Sequence, residues 1–475
     1  MTVRRKDKET LLGLIRDGSP MTLGEQFRLT VLLSIPAILA QISNIVMEYI
    51  DAAMVGSLGA GASASIGLVA TSTWLLWGMC SSATTGFAVQ VAHLTGASDN
   101  EGARAVLRQS LTAVMLFAGI LTVCGVAISG RLPVWLGGEE AIVHDAAVYF
   151  RIFVLSIPFL QLLSLSGSML RCSGNILVPG VVNIAMCVMD VVFNAFLIFP
   201  TREVSVAGLD FTMWGAGLGV EGAAWGTAAA SAIGAVVLFA YMWFRSKELR
   251  LAGTTGRFRI TRGCLRKAFR IGMPIGVEHV LICGAQIATT AIVAPLGAVA
   301  IAAHSLAVTA EGLCYMPGYG IADAATTLTG QSIGASRRSL ARRFARISVG
   351  AGMAVMTVMG IVMYVAAPAM MSFITPDELV RLSGIEILRI EAFAEPMFAA
   401  SIVCYGVFVG AGDTLVPCAM NLGSMWAVRL TLAALLASTM GVKGVWIAMC
   451  IELCFRGAIF LVYLCRERWL KTNLQ

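Results

Sequence analysis

Four polar residues share one face of an otherwise apolar stretch near the amino terminus. They are Gln41, Asn44, Glu48 and Asp51, spaced three, four and three apart, which stacks side chains along one side of a helix. A second apolar stretch repeats the pattern with Asn183, Cys187, Asp190 and Asn194. No basic residue stands beside Asp51 or Asp190 to neutralise either acid. An ionisable group at the centre of a bilayer costs about 2.5–3.5 kcal/mol on insertion scales, so each needs a reason. Unpaired acids facing amides meet the needs of a proton site, where burial favours the neutral carboxyl. They also meet those of sodium, which requires several oxygen ligands. A structural polar network beside a water-filled vestibule is the other reading.

The second half of the chain carries a different set. Glu278, His279 and Gln286 lie in one apolar stretch, and Glu391 and Glu395 stand one turn apart just before Pro396. Here basic partners exist, at Arg389, Arg429 and Arg456, the last one turn from Glu452. Glu452–Arg456 therefore reads as a structural ion pair. Glu278, Gln286, Gln41 and Glu395 are candidates for lining a substrate cavity, and His304 reads as interfacial. Twelve cysteines without a CxxC pair, most of them inside apolar stretches, read as core residues. No cofactor is expected, and no metal beyond sodium at Asp51 and Asp190.

The elements that must position these residues are membrane helices. Hydrophobic residues make up 58% of the chain and charged residues 13%, with mean hydropathy +0.82; soluble domains carry roughly 25% charged residues. Lipid offers no partner to free backbone groups, so each crossing segment must be helical. Twelve spans are expected, near 27–57, 63–92, 104–129, 143–169, 176–200, 217–244, 265–295, 299–330, 342–367, 380–408, 415–438 and 443–465. The charged start, with Arg4, Arg5, Lys6, Lys8 and Arg16, has no apolar core and is not a secretory signal.

Basic residues fall on alternate connections. Six lie from the amino terminus through Arg28, nine in the linker from Arg245 to Arg270, and five from Arg337 to Arg346. The opposite side shows Arg131, Arg202 and Lys443. The positive-inside rule then puts both termini and the linker in the cytosol of a multi-pass protein of the cell membrane. The linker reads as an amphipathic connector lying against anionic lipid. Nucleic acid is excluded as a partner, since no aromatic residues interleave the basic ones. The expected divisions are 1–26 (cytosolic segment), 27–244 (first lobe), 245–264 (linker), 265–466 (second lobe) and 467–475 (cytosolic tail).

The chain also reads as itself twice. Pro36 matches Pro274, Leu58-Gly59-Ala60 matches Leu296-Gly297-Ala298, Gly96-Ala97-Ser98 matches Gly334-Ala335-Ser336, and Asn183 matches Asn421, all 238 residues apart. Further on, Gly219-Val220 and Gly222 match Gly441-Val442 and Gly444 at an offset of 222. The difference of 16 residues is extra length between spans five and six, expected as an extracellular hairpin around Val204–Trp214. Six spans per half make the repeats parallel, related by an axis along the membrane normal, and place a transport site at their interface. The fold class is therefore an all-α membrane protein of two six-helix lobes.

These motifs resemble those of the multidrug and toxic compound extrusion (MATE) family over residues 20–466. They are Pro36…Asp51-Ala-Ala-Met-Val-Gly56-Ser-Leu-Gly59, Pro295-Leu-Gly297…Ile301-Ala-Ala-His304, Ala324-Ala-Thr-Thr-Leu-Thr-Gly330-Gln331-Ser-Ile-Gly334-Ala335, Gly410-Ala-Gly412-Asp413-Thr414…Pro417 and Gly222-Ala-Ala-Trp-Gly-Thr227. The resemblance implies alternating access by two lobes and export of organic, cationic or amphipathic small molecules against inward H+ or Na+ flow, by a monomer. It implies that Asp51 is the first-helix coupling acid, with Glu48, Asn44, Asp190, Asn194 and Thr227 converging on it. Two departures stand out. Asp190 precedes Asn194 where relatives place the Asn first, and the acid one branch carries eight residues after the span-seven proline is here Ile282, with Glu278 one turn earlier. A flippase for lipid-linked saccharides is the alternative within the superfamily. An intramembrane enzyme lacks support, since neither HExxH nor GxSxG occurs, and bilobed repeats favour alternating access over a channel.

Overall fold

The computed structural model describes residues 7–206 and 209–471; the ends of the expected amino-terminal segment and tail, 1–6 and 472–475, lie outside the described residues. Eleven helices are long and apolar enough to cross a bilayer, and a bent pair completes a twelfth span. In the first lobe the spans are Leu23–Gly56, Ala60–Gly96, Asn100–Ile128, Glu140–Cys172, Leu177–Leu197 and Val220–Phe244. In the second they are Arg262–Leu296, Ala298–Gly334, Arg338–Ile374, Glu378–Glu391 with Glu395–Ala411, Leu415–Met440 and Val442–Arg466. They are called spans one to twelve below.

The repeat written in the sequence is the repeat of the fold. Spans two and eight begin and end 238 residues apart, and spans six and twelve begin and end 222 apart. Backbone irregularities recur in the same register: Gly59 and Gly297 turn at φ 118° and 98°, Gly174 and Gly412 at 96° and 81°, and Ser98 and Ser336 at 60° and 58°. A side chain is strained at such angles, which is why glycine holds four of these six corners. The extra length of the first half is an antiparallel hairpin, β1 Pro200–Val206 with β2 Leu209–Ala216. It occupies the expected position between spans five and six.

Span one starts at a capping box. The Thr22 side chain accepts from the Glu25 amide, and the Glu25 carboxylate accepts from the Thr22 amide at 2.9 Å, satisfying two donors at the helix start. Ahead of it, Lys8–Arg16 forms a short amphipathic helix. Its Leu11, Leu12 and Ile15 are buried among Leu29, Leu33 and Ile176 of the first lobe and Leu328 and Phe344 of the second. Arg16 pairs with Glu248 at 2.9 Å and donates to the Ser173 carbonyl, while Arg337 donates to the Leu14 carbonyl. The linker is not a helix. Residues 250–261 are irregular and strapped to span three, with Arg104 donating to the Glu248 carbonyl and Arg108 to the Thr254 hydroxyl.

The lobes meet most closely at the face where the chain enters span one and leaves span twelve, called the terminal face here. Span one packs along span eight, and span two along spans seven and eight. At the terminal face the His93 ring nitrogen lies 2.8 Å from the Gly410 carbonyl, Gln331 donates to the Cys172 carbonyl at 2.9 Å, and Gln90 to the Cys264 carbonyl at 3.2 Å. Gly96 lies against the backbone of Gln331, and Gly334 against the backbone of His93. These four positions form two repeat-related pairs, so this seal straddles the pseudo-two-fold axis.

Two features break the symmetry. Span ten bends by 60° between Glu391 and Glu395, where span four runs unbroken past Pro158. Span eleven carries a π-helical segment, Ser424–Arg429, where span five is regular α-helix. Span ten also brings Arg381 and Arg389 to the side opposite the terminal face, which the count of basic residues above had left out.

Candidate functional site

In the first lobe, spans one and five lie side by side and zip together through the two polar faces. Asn183 donates to the Ala40 carbonyl at 3.1 Å and to the Asn44 side-chain oxygen at 2.8 Å, and the Cys187 thiol donates to the same oxygen at 3.5 Å. Two turns further on, the Asn194 amide donates to Asp51 Oδ1 at 2.8 Å and to Asp190 Oδ2 at 3.2 Å. One amide thus spans two carboxyls that also interact with each other, and Thr227 of span six interacts with Asp190. Asp190 and Asn194 are fully buried, and Asp51 is half-buried.

The reversed order of acid and amide explains the arrangement. With Asp190 one turn before Asn194, the amide has both its protons committed to carboxylates. Its own oxygen, Asn194 Oδ1, has no hydrogen-bond partner, and neither has Asp190 Oδ1. Two carboxyls in contact in a dry interior, with no base paired to either, need a shared proton or a cation between them. Two unpartnered, buried oxygens next to them are acceptors waiting for such a charge. Gly226 makes this possible, because a side chain at 226 would collide with Asn194 Oδ1 and lie 3.0 Å from its Cγ. The sequence gave a signal for Gly226 only in its place beside Thr227. Glu48 faces outward on an exposed part of span one. Among the described residues, no set of three or more His, Cys, Asp or Glu is arranged to hold a metal ion.

The substrate-cavity candidates do not come together. Gln41 interacts with Asp323 of span eight at the lobe interface, and Asp323 lies 3.9 Å from Arg171. Gln286 is exposed. Glu278 is buried inside the second lobe, with both carboxylate oxygens engaged by Tyr405 at 2.5 Å and Asn421 at 2.6 Å. Asn421 is the repeat partner of Asn183, and Glu278 stands where the first lobe has Ala40, so one amide serves both lobes. Glu395 is 1% exposed and lines no open cavity. A helical face tells which residues of one helix point together, not which neighbour covers them.

Glu452 is held by two guanidiniums. Arg456 Nε lies 3.0 Å from one carboxylate oxygen, Arg429 Nη2 lies 2.7 Å from the other, and Ser424 also donates to it. The structural ion pair is therefore present, with Arg429 as a third member. Replacing Glu452 by Gln would leave two buried guanidiniums facing each other. We expect it to cost about 3–5 kcal/mol of stability, the usual loss on breaking a buried pair, read as a lowered denaturation midpoint of the purified protein. His304 is not interfacial: it is buried, and Trp446 donates to its Nδ1 at 3.1 Å.

A family model, MatE, matches residues 36–196 and again 274–435, one match per lobe with the starts 238 apart. The chain belongs to the MatE family. Among relatives, a probable multidrug resistance protein NorM from Thermotoga maritima is 22% identical over 92% of both chains. A second NorM, from Deinococcus radiodurans, is 27% identical over 91% of this chain and 93% of its own. A solved MATE structure in a straight conformation superposes with a TM-score of 0.86 at 19% identity, covering 97% of this chain and 99% of that one. The two-lobed, multi-pass membrane fold is thus that of MATE transporters.

Proposed function

We propose that the protein is a secondary active exporter of organic cations or amphipathic compounds, working by alternating access and driven by inward H+ or Na+ flow. The observation that carries this reading is the Asp51–Asn194–Asp190 constellation, two acids bridged by one amide with no base paired to either. Family membership and the names of the relatives, probable multidrug resistance proteins, support export rather than catalysis. The coupling ion would sit among Asp51, Asp190, Asn194 and Thr227, with Asn44 and Asn183 fixing spans one and five below it. Glu48 is placed to receive the ion from the open side.

The basic linker and amino terminus place the terminal face in the cytosol. With that face sealed, the state seen here is the outward-facing one, in a plasma-membrane protein acting as a monomer. The test is purified protein in liposomes loaded with a cationic dye, with pH and sodium gradients imposed separately. Dye accumulation against its gradient under one of them identifies the ion, and no accumulation under either refutes ion-coupled export.

A further inference from the structure

Both departures from repeat symmetry, the bend in span ten and the π segment of span eleven, border one buried cluster of charges. Glu391 and Glu395 flank the bend, each 1% exposed, and none of their four carboxylate oxygens has a hydrogen-bond partner. Gly360 of span nine makes room for them: a side chain there would lie 2.8 Å from the Ala392 carbonyl and 3.1 Å from Glu395 Cβ. Span eight presents Glu311, Cys314 and Tyr315 to the cluster, and span twelve presents Cys450, Glu452 and Arg456. Span eleven presents Arg429 from its π segment, a kind of interruption that recurs at functional sites.

The charges do not balance if every acid is ionised. Arg429 and Arg456 both bind Glu452, which leaves one positive charge to face Glu311, Glu391 and Glu395. An ionised carboxylate without a partner in a dry interior costs several kcal/mol, and such groups neutralise instead. A metal cation does not fit as the neutralising ligand, since the cluster is not arranged as a metal site among the described residues. The remaining ligand is the proton.

We propose that Glu391 and Glu395 form a second proton-binding site, in the break of span ten, separate from the Asp51–Asp190 pair and occupied in the state seen here. Each carboxylate takes one proton from water, becoming a neutral carboxyl, and returns it to water on ionising. Glu311 is the relay, because the next residue, Gly312, faces Ile45 and Tyr49 of span one across the lobe interface. The site does not depend on what the protein exports.

Infrared spectra of the purified full chain at neutral pH test it, through the carbonyl stretch of protonated carboxyls. E391Q and E395Q should each remove one such band, and the double variant both. D51N/D190N should leave these bands in place, so the two sites fail or stand separately. Bands unchanged in the double variant would overturn the proposal. An amide is the isostere of a neutral carboxyl, so the Gln variants should also keep the wild-type melting midpoint. A variant that melts early or does not fold would show that the carboxylates were ionised, and would overturn it equally.

Discussion

Asp51→Asn should reduce dye accumulation to a ratio of about one, because an ion that binds both states of the lobes equally shifts neither. The substitution preserves shape and keeps an oxygen for the Asn194 amide, which donates to Asp51 Oδ1 at 2.8 Å. It removes the titration and the negative charge together. Folding and downhill passage of substrate should survive, since spans one and five remain joined through Asn44 and Asn183. The measurement is initial uptake rate with and without the driving gradient. Wild-type accumulation by the variant would remove Asp51 from the coupling role. Asn194→Leu offers an internal check: it should cost coupling too, by leaving the two carboxyls without the amide that separates them.

The second large effect should come from the seal. A β-carbon at Gly334 would lie 2.6 Å from the His93 carbonyl carbon and 2.7 Å from its Cα, and one at Gly96 would lie 2.7 Å from the same atoms of Gln331. The obstacle in both cases is backbone, which cannot rotate aside. Gly334→Val and Gly96→Val must therefore push the lobes apart at the terminal face. Overpacking of this kind costs about 1–3 kcal/mol, which corresponds to a shift of roughly 5- to 150-fold in the ratio of two states. Spin-label distances between spans two and eight at that face should lengthen in both variants. Because the two contacts are repeat-related, the shifts should be similar. An effect confined to one variant would mean that the seal is not shared between the lobes.

The span count, the repeat and the hairpin were legible because they depend on composition and register, which a bilayer makes strict. The pairing of the Asn44 face with Asn183 and Cys187 followed from spacing once spans one and five were neighbours. What spacing could not supply was the partner across each interface. Glu278 lies on its own helix exactly one turn from where relatives carry an acid, yet its burial is decided by Tyr405 and Asn421, more than 120 positions away. The bend at Glu391–Glu395 was hidden because Pro158 and Pro396 are repeat-related, while only the second lies at a break. Arg429 looked like a spare charge until the π segment turned it onto Glu452.

The short helix Lys8–Arg16 has a consequence for how the molecule is handled. Its three buried apolar side chains, Leu11, Leu12 and Ile15, touch both lobes at once. Parting the lobes at that face strips the helix from one of them and wets its contacts, and each such side chain is worth about 1.5–3 kcal/mol when fully exposed. A segment that touches neither ion nor cargo thus sets part of the resting population. Affinity tags, reporter fusions and trimmed starts placed there would change turnover while leaving cargo preference alone, so rates measured on such proteins belong to the altered amino terminus as much as to the transport site.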